Sequence, residues 1–282
     1  MDINDVMKEY YDAKADHRIV PYFQPVFSVR KGTIVSAEVL CRLKKRNGEI
    51  VTPEGFIPTL ERTGEICDLD WYMVERACAF ALNMDVEYGE EIKVSVNLSR
   101  RHVNEWDAVQ HLCSIADSYC VDHSRIEIEI TEGYKPHDIL LIHMINRIRE
   151  EGFTVAVDDF GKGYSSIGFV KEAGFETIKT DKDLIGGDIY LDNTEALIRG
   201  ILEISKNIGV RVVAEGVETK DQMEFLLLNG CDYMQGNFFS EPVREENFIQ
   251  LYNEVAGITG KEKKKKGKRF SIVLPELPAI LD

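Results

Sequence analysis

The sequence predicts an α/β protein folded as a (β/α)8-like barrel, and three observations lead to this prediction. Short β-branched runs recur along the chain, and each ends at or near polar residues. Segments of helical length lie between these runs, which is the alternation of a parallel barrel. The chain has 282 residues, enough for one barrel of about 250 residues. The polar residues at the ends of the runs are Glu38, Asn97, Glu129, Asp158, Asp159, Lys179, Glu215, Glu218 and Gln235.

The runs alternate as strands do, because residues i and i+2 of a strand share a face. In residues 34–38 the polar Ser36 and Glu38 share one face, opposite Val35 and Ala37. The β-branched face would pack on helices, and the polar face would point into the barrel. By the same rule the inward-facing residues of the later runs are Ser95, Asn97, Glu127, Glu129, Ala156, Asp158 and Lys179.

Two carboxylates fit this alternation less well. Glu215 shares its face with the apolar Val213. Asp159 directly follows Asp158 and therefore has the wrong parity for a straight strand. A bend at the end of the strand would let both neighbouring aspartates serve one site.

Four segments between the runs have the spacing of helices. Residues 53–63 carry an apolar stripe through Phe56, Ile57 and Leu60. Residues 68–84, 139–151 and 194–208 are also helical in pattern. Each segment separates two predicted strands, which favours parallel strands joined by helices.

The polar set is rich in oxygen ligands and contains neither histidine nor cysteine, which favours a hard cation such as Mg2+ or Mn2+. Paired aspartates can bridge two such ions, and two ions can clamp the attacking and leaving oxygens of a phosphoryl displacement. Lys179 would hold the attacking water or offset the phosphate charge. Each carboxylate taken alone is better explained as a solvated strand end or a helix N-cap. The whole set is not, because unpaired charges pointing into a barrel are costly.

At these positions the sequence resembles the EAL-domain family of cyclic-di-GMP phosphodiesterases. The signature tripeptide is Glu38-Val39-Leu40 here, and Asn97-Leu98-Ser99 matches a second motif. The resemblance runs from about residue 20 to about residue 250, in family order and at family spacing. The further matching segments are EIEITE at 127–132, DDFGKGYSS at 158–166, Lys179 with Asp181, VVAEGVET at 212–219, and Gln235-Gly236.

The resemblance implies a modified TIM (β/α)8 barrel with one antiparallel strand, an active homodimer, and hydrolysis of cyclic di-GMP to linear pGpG. It assigns catalytic roles to Glu215, as general base or second-metal ligand, and to Lys179, which would position water. The metal ligands would be Glu38, Asn97, Glu129, Asp158 and Asp159, holding two Mg2+ or Mn2+ ions. The residues contacting the dinucleotide would be Gln24, Leu40, Arg42, Asp181, Glu218 and Gln235.

Glu132 would brace the loop 160–166, which the resemblance links to the dimer interface. The sequence departs from the family pattern at a few positions, among them Lys162 in that loop and Thr180 in place of Ile or Leu. These departures remove no matched ligand. They bear on rate and affinity more than on activity itself.

Two other functions remain open at this point. One is a module that binds cyclic di-GMP without cleaving it, although such degenerate members usually lack a metal ligand and this chain keeps each one. The other is a metal-dependent phosphodiesterase for a different nucleotide.

Charge, cysteine and histidine content limit the function further. The net charge of −15 argues against general nucleic-acid binding, which requires a basic face. The six cysteines form no CxxC pair, as expected for reduced, buried thiols in a cytoplasmic protein. The six histidines are dispersed, with no HExxH motif or His-Asp cluster, which argues against a histidine-based metal site.

We divide the chain into a lead-in at 1–17, a barrel at 18–256, and a basic linker and tail at 257–282. The tail holds a lysine-rich run followed by an apolar segment with two prolines. It would be a solvated linker, a contact for an anionic surface, or a segment docked on the acidic body. No apolar run approaches 18 residues, so no membrane span is expected. The lead-in suggests an upstream sensory or GGDEF domain in a longer parent protein.

Overall fold

The computed structural model describes residues 2–89, 91–131, 139–161, 167–186 and 192–257. Glu132, most of the loop 160–166 and the segment from residue 258 onward lie outside the described residues. The expectations for the loop brace, Lys162 and the basic tail therefore stay predictions.

Strands and helices alternate along most of the chain. The strands are β1 Ile19–Ser28, β2 Thr33–Lys44, β3 Ile50–Val51, β4 Lys93–Asn97, β5 Ile126–Thr131, β6 Thr154–Phe160, β7 Thr177–Thr180, β8 Arg211–Ala214 and β9 Tyr233–Met234. The helices are α1 Ile3–Ala15, α2 Ile57–Thr63, α3 Ile66–Tyr88, α4 Ala108–Ser118, α5 Ile139–Glu150, α6 Ile167–Ala173, α7 Lys182–Gly186, α8 Asp192–Ile208, α9 Lys220–Leu228 and α10 Glu245–Val255. In the described part of the chain, 3₁₀ turns lie at Pro53–Gly55, Arg100–Asn104 and His123–Arg125.

The sheet closes into a barrel in the order β1-β9-β8-β7-β6-β5-β4-β2, with β2 pairing back onto β1. The pairs from β2–β4 round to β8–β9 are parallel. β1 is antiparallel to both of its neighbours, and β3 extends β2 outside the barrel as an antiparallel strand. The predicted modified barrel with one antiparallel strand is confirmed.

The alternation of the strands decides which side chains reach the interior. The outward faces carry Val94, Ile128, Val155 and Ile178, all with no exposed surface. Branched apolar residues on this face pack against the surrounding helices, as in parallel sheets generally. The intervening residues point inward, and the register sets Asn97 beside Glu129 and Glu38 beside Ser95 on adjacent strands.

Helix α1 belongs to the same hydrophobic core as the barrel. Its Val6, Tyr10 and Ala13 are buried, and they join the core cluster that includes the barrel residues. An ion pair of 2.8 Å links Glu9, in the middle of α1, to Arg18, which directly precedes β1. The boundary at residue 17 remains a prediction about domain organisation, while the packing makes α1 part of the folded body.

The predicted helices are present, with one change at the first. Residues 53–63 divide into a 3₁₀ turn at Pro53–Gly55 and α2, with Phe56 between them. A proline at the start of each piece fixes the backbone there and leaves no amide hydrogen to donate. Within the described residues, no helix is both long and apolar enough to cross a bilayer.

The cysteines agree only in part with the expectation of buried thiols. All six are free, and Cys41, Cys78 and Cys231 are buried. Cys120 is exposed; it lies just beyond the end of α4 and has a left-handed φ of 54°. The expectation was wrong for this residue.

Candidate functional site

The carboxyl ends of the parallel strands meet at one mouth of the barrel, and Lys179 stands at the centre of this mouth. Its Nζ lies 2.9 Å from Glu38 Oε2, 2.8 Å from Glu129 Oε2 and 2.7 Å from Glu215 Oε1. Asp158 Oδ1 is farther away, at 3.9 Å. We call Lys179 and these four carboxylates the mouth cluster. Strands β2, β5, β6 and β7 and the end of β8 supply its members, so segments distant in sequence converge here.

Burial and charge act against each other on these groups. Burial alone would lower the pKa of Lys179, but the carboxylates of Glu129, Glu215 and Glu38 raise it well above its ordinary value. Burial and the nearby Glu38 carboxylate raise the pKa of Glu129. Burial also acts on Glu38, yet the Lys179 ammonium and its hydrogen bonds lower the pKa of that carboxyl. The mouth cluster is therefore short of positive charge.

The pKa values of two further carboxyls, Glu215 and Asp158, are also raised in the mouth cluster. Burial is the largest cause that raises the pKa of Glu215 to about 8, with Asp158 and Glu38 adding to it against the opposing effect of Lys179. Burial also raises the pKa of Asp158. A carboxyl with a pKa near neutrality can exchange a proton during a reaction, which is the property required of a general acid or base.

The donors in the mouth fit a hard divalent cation. The amide nitrogen of Asn97 lies 3.3 Å from Glu38 Oε1 and 3.4 Å from Glu129 Oε2, so its side chain joins the two carboxylates. Glu129 Oε1 is buried and accepts no hydrogen bond. An oxygen left without a partner in a buried site is costly unless something absent from the protein chain satisfies it. Carboxylate and amide oxygens are the ligands that Mg2+ and Mn2+ take.

Asp159 is held at the mouth by an irregular backbone. Its φ is 55°, in the left-handed region, and the register of β6 against β7 shifts between Val157 and Phe160. Asp158 Oδ1 accepts a hydrogen bond of 2.8 Å from the backbone nitrogen of Asp159. This bulge corrects the parity of the second aspartate, as the sequence led us to expect of a bend at the strand end.

Two glutamines extend the polar layer across the closing strands. Gln235 Nε2 donates to Glu38 Oε2 at 2.6 Å and lies 2.8 Å from Gln24 Oε1. Gln24 Nε2 donates in turn to the carbonyl of Ser240 at 3.1 Å. Gln24 and Gln235, assigned together to the dinucleotide, thus lie side by side at the mouth.

The loop that carries Glu215 and Glu218 is fixed at both ends. The backbone nitrogens of Glu218 and Thr219 donate to Gln222 Oε1 at 2.8 and 2.9 Å, within a capping box at the start of α9. A Cβ at Gly236 would collide with the backbone of Val217, so only glycine allows this close approach. Thr180, a departure from the family pattern, accepts a hydrogen bond of 3.3 Å from the Glu215 nitrogen.

A cleft of about 340 Å³ opens beside the mouth cluster. Its lining includes Glu38, Leu40, Asn97, Asp158 and Asp159. Five residues assigned to metal or nucleotide thus share one depression in the surface. Such a depression, with convergent polar groups, is the usual form of a small-molecule site.

Arg42 lies near the end of β2, two residues beyond Leu40 of the cleft. Its guanidinium stacks 5.6 Å from the ring centre of Tyr22, and Arg244 approaches the same ring at 5.9 Å. The sequence reasoning missed Tyr22 and Arg244. A signal was present for Tyr22, since it precedes Gln24 by two positions and so shares its face of β1.

Asp181 is less open to a ligand than the sequence suggested. It is only 2% exposed, and its carboxylate accepts a hydrogen bond of 2.8 Å from the backbone nitrogen of Asp183. Its own backbone nitrogen donates to the Phe160 carbonyl at 3.0 Å. The structure thus gives Asp181 a local bracing position, and its contact with a nucleotide stays a prediction.

The histidine expectation needs a correction. No His-Asp cluster is visible in the linear sequence, yet His102 Nε2 lies 3.1 Å from Asp70 Oδ2. His102 Nδ1 lies 2.8 Å from Glu105 Oε2. The fold brings together residues 32 positions apart, which spacing along the chain does not reveal.

Sequence comparison finds one family and several relatives. The model of the EAL domain family matches residues 7–242. The signaling protein YkoW of Bacillus subtilis is 31% identical over 246 residues, covering 86% of this chain and 30% of that protein. The probable cyclic di-GMP phosphodiesterase PdeG of Escherichia coli is 29% identical over 234 residues, covering 83% and 46% respectively. This chain thus spans less than half the length of these two relatives.

Structural comparison finds the same architecture. The PaMucR phosphodiesterase, solved in complex with c-di-GMP, superposes with a TM-score of 0.82 at 25% identity, covering 86% of this chain and 99% of that one. An EAL domain protein from Listeria monocytogenes superposes with a TM-score of 0.75 at 26% identity, covering 88% and 98% respectively. The FimX EAL domain of Xanthomonas citri, at 19% identity and a TM-score of 0.73, shares the fold.

Proposed function

This chain belongs to the EAL domain family, and we propose that it is a metal-dependent phosphodiesterase that hydrolyses cyclic di-GMP to linear pGpG. The observation that carries the proposal is the mouth cluster, in which Glu38, Glu129 and Glu215 lie within 3 Å of the buried Lys179 ammonium. The probable cyclic di-GMP phosphodiesterase PdeG and the PaMucR phosphodiesterase, to which this chain is similar, support this substrate class.

The metal ligands we propose are the oxygen donors of the mouth. Glu38, Asn97, Glu129, Asp158 and Asp159 would hold two Mg2+ or Mn2+ ions. When bound, such ions lower the pKa of water and stabilise the negative charge that develops on a phosphoryl group. The unpartnered Glu129 Oε1 supports this assignment, since it is buried without a hydrogen bond.

Lys179 would position the attacking water, and Glu215 would take up its proton. Lys179 would hold the attacking water with an N–H donor, and the buried site would keep that water in one orientation. Glu215 would accept the proton as general base once cations in the mouth favour its ionised form; in the metal-free protein, burial raises its pKa to about 8. Its carboxylate lies 2.7 Å from the lysine nitrogen, so a water held by one group is within reach of the other.

The dinucleotide would lie in the cleft beside the cluster. Arg42 would supply a positive charge at the rim of an otherwise acidic mouth. Its stacking on Tyr22 holds the guanidinium in place, and a planar guanidinium suits bidentate contact with a phosphate. The other proposed contacts are Gln24, Leu40, Asp181, Glu218 and Gln235.

Incubating the purified protein with cyclic di-GMP and Mg2+ or Mn2+, then separating the products by chromatography, tests this function. We expect pGpG in a metal-dependent reaction. Glu129→Gln should abolish turnover, since it removes a charged donor at the centre of the cluster. Glu127→Gln is the matched control, because Glu127 lies two residues earlier on β5, is 6% exposed and bonds to Thr177 below the cluster.

The alternative function is a receptor that binds cyclic di-GMP without cleaving it. Glu215→Gln keeps the shape of the site and removes the proposed base, so it should retain binding while turnover falls by about 10²-fold or more. If the wild-type protein binds the nucleotide and never forms pGpG, the receptor function replaces the enzymatic one. If the protein cleaves another nucleotide faster than cyclic di-GMP, the result would support the alternative of a phosphodiesterase with a different substrate.

We also propose that the protein works in the cytoplasm as a homodimer, within a longer parent protein carrying a sensory or GGDEF domain. These statements rest on the family alone. Light scattering of the purified chain, with and without Mg2+, tests the dimer. A monomer at every concentration that supports turnover would contradict it.

A further inference from the structure

Cys67, Asp70, His102 and Glu105 meet outside the mouth cluster, where the start of α3 faces the 3₁₀ turn after β4. His102 is fully buried and Asp70 is 5% exposed. The ligand atoms of Cys67, His102 and Glu105 all lie within 4.8 Å of one another. Side chains of three chemical types thus converge on one point, and the proposed hydrolysis assigns no role to Cys67, His102 or Glu105, while Asp70 also lines the cleft beside the mouth cluster.

The carboxylate of Asp70 fixes the orientation of the His102 ring. Its Nε2 lies 3.1 Å from Asp70 Oδ2, and the same carboxylate oxygen accepts a hydrogen bond of 2.7 Å from the Ser99 backbone nitrogen. The other ring nitrogen, Nδ1, therefore faces Glu105 at 2.8 Å. A histidine held by a carboxylate through one nitrogen and presenting the other is the arrangement found behind zinc-binding histidines.

We propose that Cys67, His102 and Glu105 form a zinc site, distinct from the catalytic metal centre and independent of the proposed hydrolysis. Thiolate, imidazole and carboxylate are the three ligand types that Zn2+ takes in tetrahedral sites. Asp70 is the outer partner that orients His102. The Glu105 side chain is 35% exposed, so water would reach the ion and fill the fourth position.

The ligands need only a small movement to close around the ion. Zinc bonds of about 2.0–2.3 Å put tetrahedral ligand atoms roughly 3.3–3.8 Å apart, so the His102–Glu105 pair would open slightly from its 2.8 Å contact. The ligand types also separate the two centres, because the thiolate and imidazole select a softer metal than the oxygen donors of the mouth. Mg2+ and Zn2+ would therefore occupy different places in one chain.

A bound ion would tie together elements that are distant in sequence. Cys67 is the second residue of α3, whereas His102 lies in the middle of the 3₁₀ turn that follows β4 and Glu105 comes directly after that turn. β4 ends at Asn97, so the clamp would hold the segment that leaves the catalytic mouth. The expected effect is higher stability of this segment rather than a chemical step.

Co2+ serves as the probe, because a cobalt–thiolate bond gives an intense near-ultraviolet absorption that oxygen ligands do not give. The full chain, saturated with Mg2+ to occupy the mouth, is titrated with Co2+. We expect one equivalent to produce the band and Zn2+ to displace it. Cys67→Ser should remove the band, while Cys113→Ser and Cys120→Ser, which change other accessible thiols, should keep it.

A second readout comes from Trp71, whose ring centre lies 4.4 Å from that of His102. Trp106→Phe removes the other, exposed tryptophan, and Co2+ should then quench the Trp71 emission in the same titration. Zn2+ at about a hundredfold excess over its Kd should raise the melting temperature by at least about 4 °C, and Glu105→Gln should weaken Zn2+ at least tenfold. Mg2+-dependent turnover of Cys67→Ser should match that of wild type.

The same contacts without a metal would form a hydrogen-bonded cluster that only braces the fold. Absence of the cobalt–thiolate band at one equivalent would establish that outcome and overturn the proposal. A band that survives Cys67→Ser would overturn it as well, because the metal would then sit on another thiol. Neither result would alter the test of pGpG formation, so the two proposals fail separately.

Discussion

Lys179 is the residue on which the mouth depends, because it supplies the ammonium among four carboxylates. Three of these carboxylate oxygens lie within 3 Å of its nitrogen, and the lysine side chain is only 3% exposed. Removing one partner of a buried ionic group leaves the others uncompensated. The charge of the lysine thus contributes to folding and to the proposed chemistry through the same contacts.

Lys179→Met should therefore destabilise the metal-free protein by about 3–5 kcal/mol. The loss should be greater at pH 8 than at pH 5, since the carboxyls can take up protons at the lower pH. Urea denaturation in EDTA at both pH values measures it. Lys93→Met is the matched control, because Lys93 is a half-buried lysine whose amine donates to Thr154 at 3.0 Å. Equal stability of the Lys179 variant and wild type would contradict the central role of this lysine.

Glu215 gives the metal-free protein a stability that depends on pH. Burial raises its pKa from 4.5 to about 8, so between these values the folded state holds a proton that the unfolded state has lost. This contribution is fully present below about pH 4.5 and is lost as the pH rises through 8. The free energy of unfolding in EDTA should fall by up to about 1.4 kcal/mol per pH unit in this window.

Glu215→Gln should flatten that part of the profile, because glutamine does not titrate. Urea denaturation in EDTA from pH 5 to pH 8.5 compares the two proteins. Parallel profiles for wild type and variant would mean that another group causes the dependence. Addition of Mg2+ to the wild type should also reduce it, since bound cations favour ionised carboxylates.

The strand pattern was enough to predict which residues line the mouth, because a period of two leaves each side chain only two directions. Glu38, Asn97, Glu129 and Lys179 follow from that rule and from the position of the strand ends. The contact of His102 with Asp70 did not follow, since it depends on how α3 packs against a turn 32 residues later. Glu132 lies outside the described residues, and its bracing role stays a prediction.

At the scale of secondary-structure elements, two irregular backbone segments position the site residues. The β6 bulge turns Asp159 to the mouth with a φ of 55°, and the close approach of Gly236 to Val217 holds the loop behind Glu215. The sequence indicated a bend after Asp158, but it did not specify a left-handed residue. Such a conformation depends on tertiary contacts that compensate for its cost.

Substitutions at Asp159 can separate its backbone role from its side-chain role. Asp159→Val places a β-branched residue in the left-handed region and should destabilise the fold by about 1–2 kcal/mol. Asp159→Gly should leave stability close to wild type, because glycine adopts this conformation freely. Both variants should lose turnover, since both remove the proposed ligand. Urea denaturation and pGpG formation give the two readouts, and a valine variant as stable as the glycine variant would contradict the strain argument.

At the scale of the whole molecule, the N-terminal helix contributes to the common core, whereas the basic tail contributes no proposed site residue. The helix at residues 3–15 adds buried side chains to the common core, including Tyr10, which is 1% exposed. Its polar face is also tied to α3, since Lys14 Nζ lies 2.8 Å from Asp68 Oδ2. Tyr11 donates a hydrogen bond of 2.6 Å to Glu65. By contrast, the residues proposed for catalysis and binding all lie between Gln24 and Gln235, well before the basic tail.

A matched pair of truncations tests this difference. Deletion of residues 2–16 uncovers core surface beneath Tyr10 and should lower the free energy of unfolding by about 3 kcal/mol or more, the usual cost of losing one large buried aromatic side chain. Deletion from Lys261 onward removes the lysine-rich run and the apolar end but no proposed site residue, so turnover should stay similar. If the apolar end covers part of the barrel, the melting temperature would fall by several degrees, as for a loss of about 1–3 kcal/mol. A tail deletion that is stable yet inactive would mean that these residues complete the site or the dimer. An N-terminal deletion with unchanged stability would instead support a boundary at residue 17.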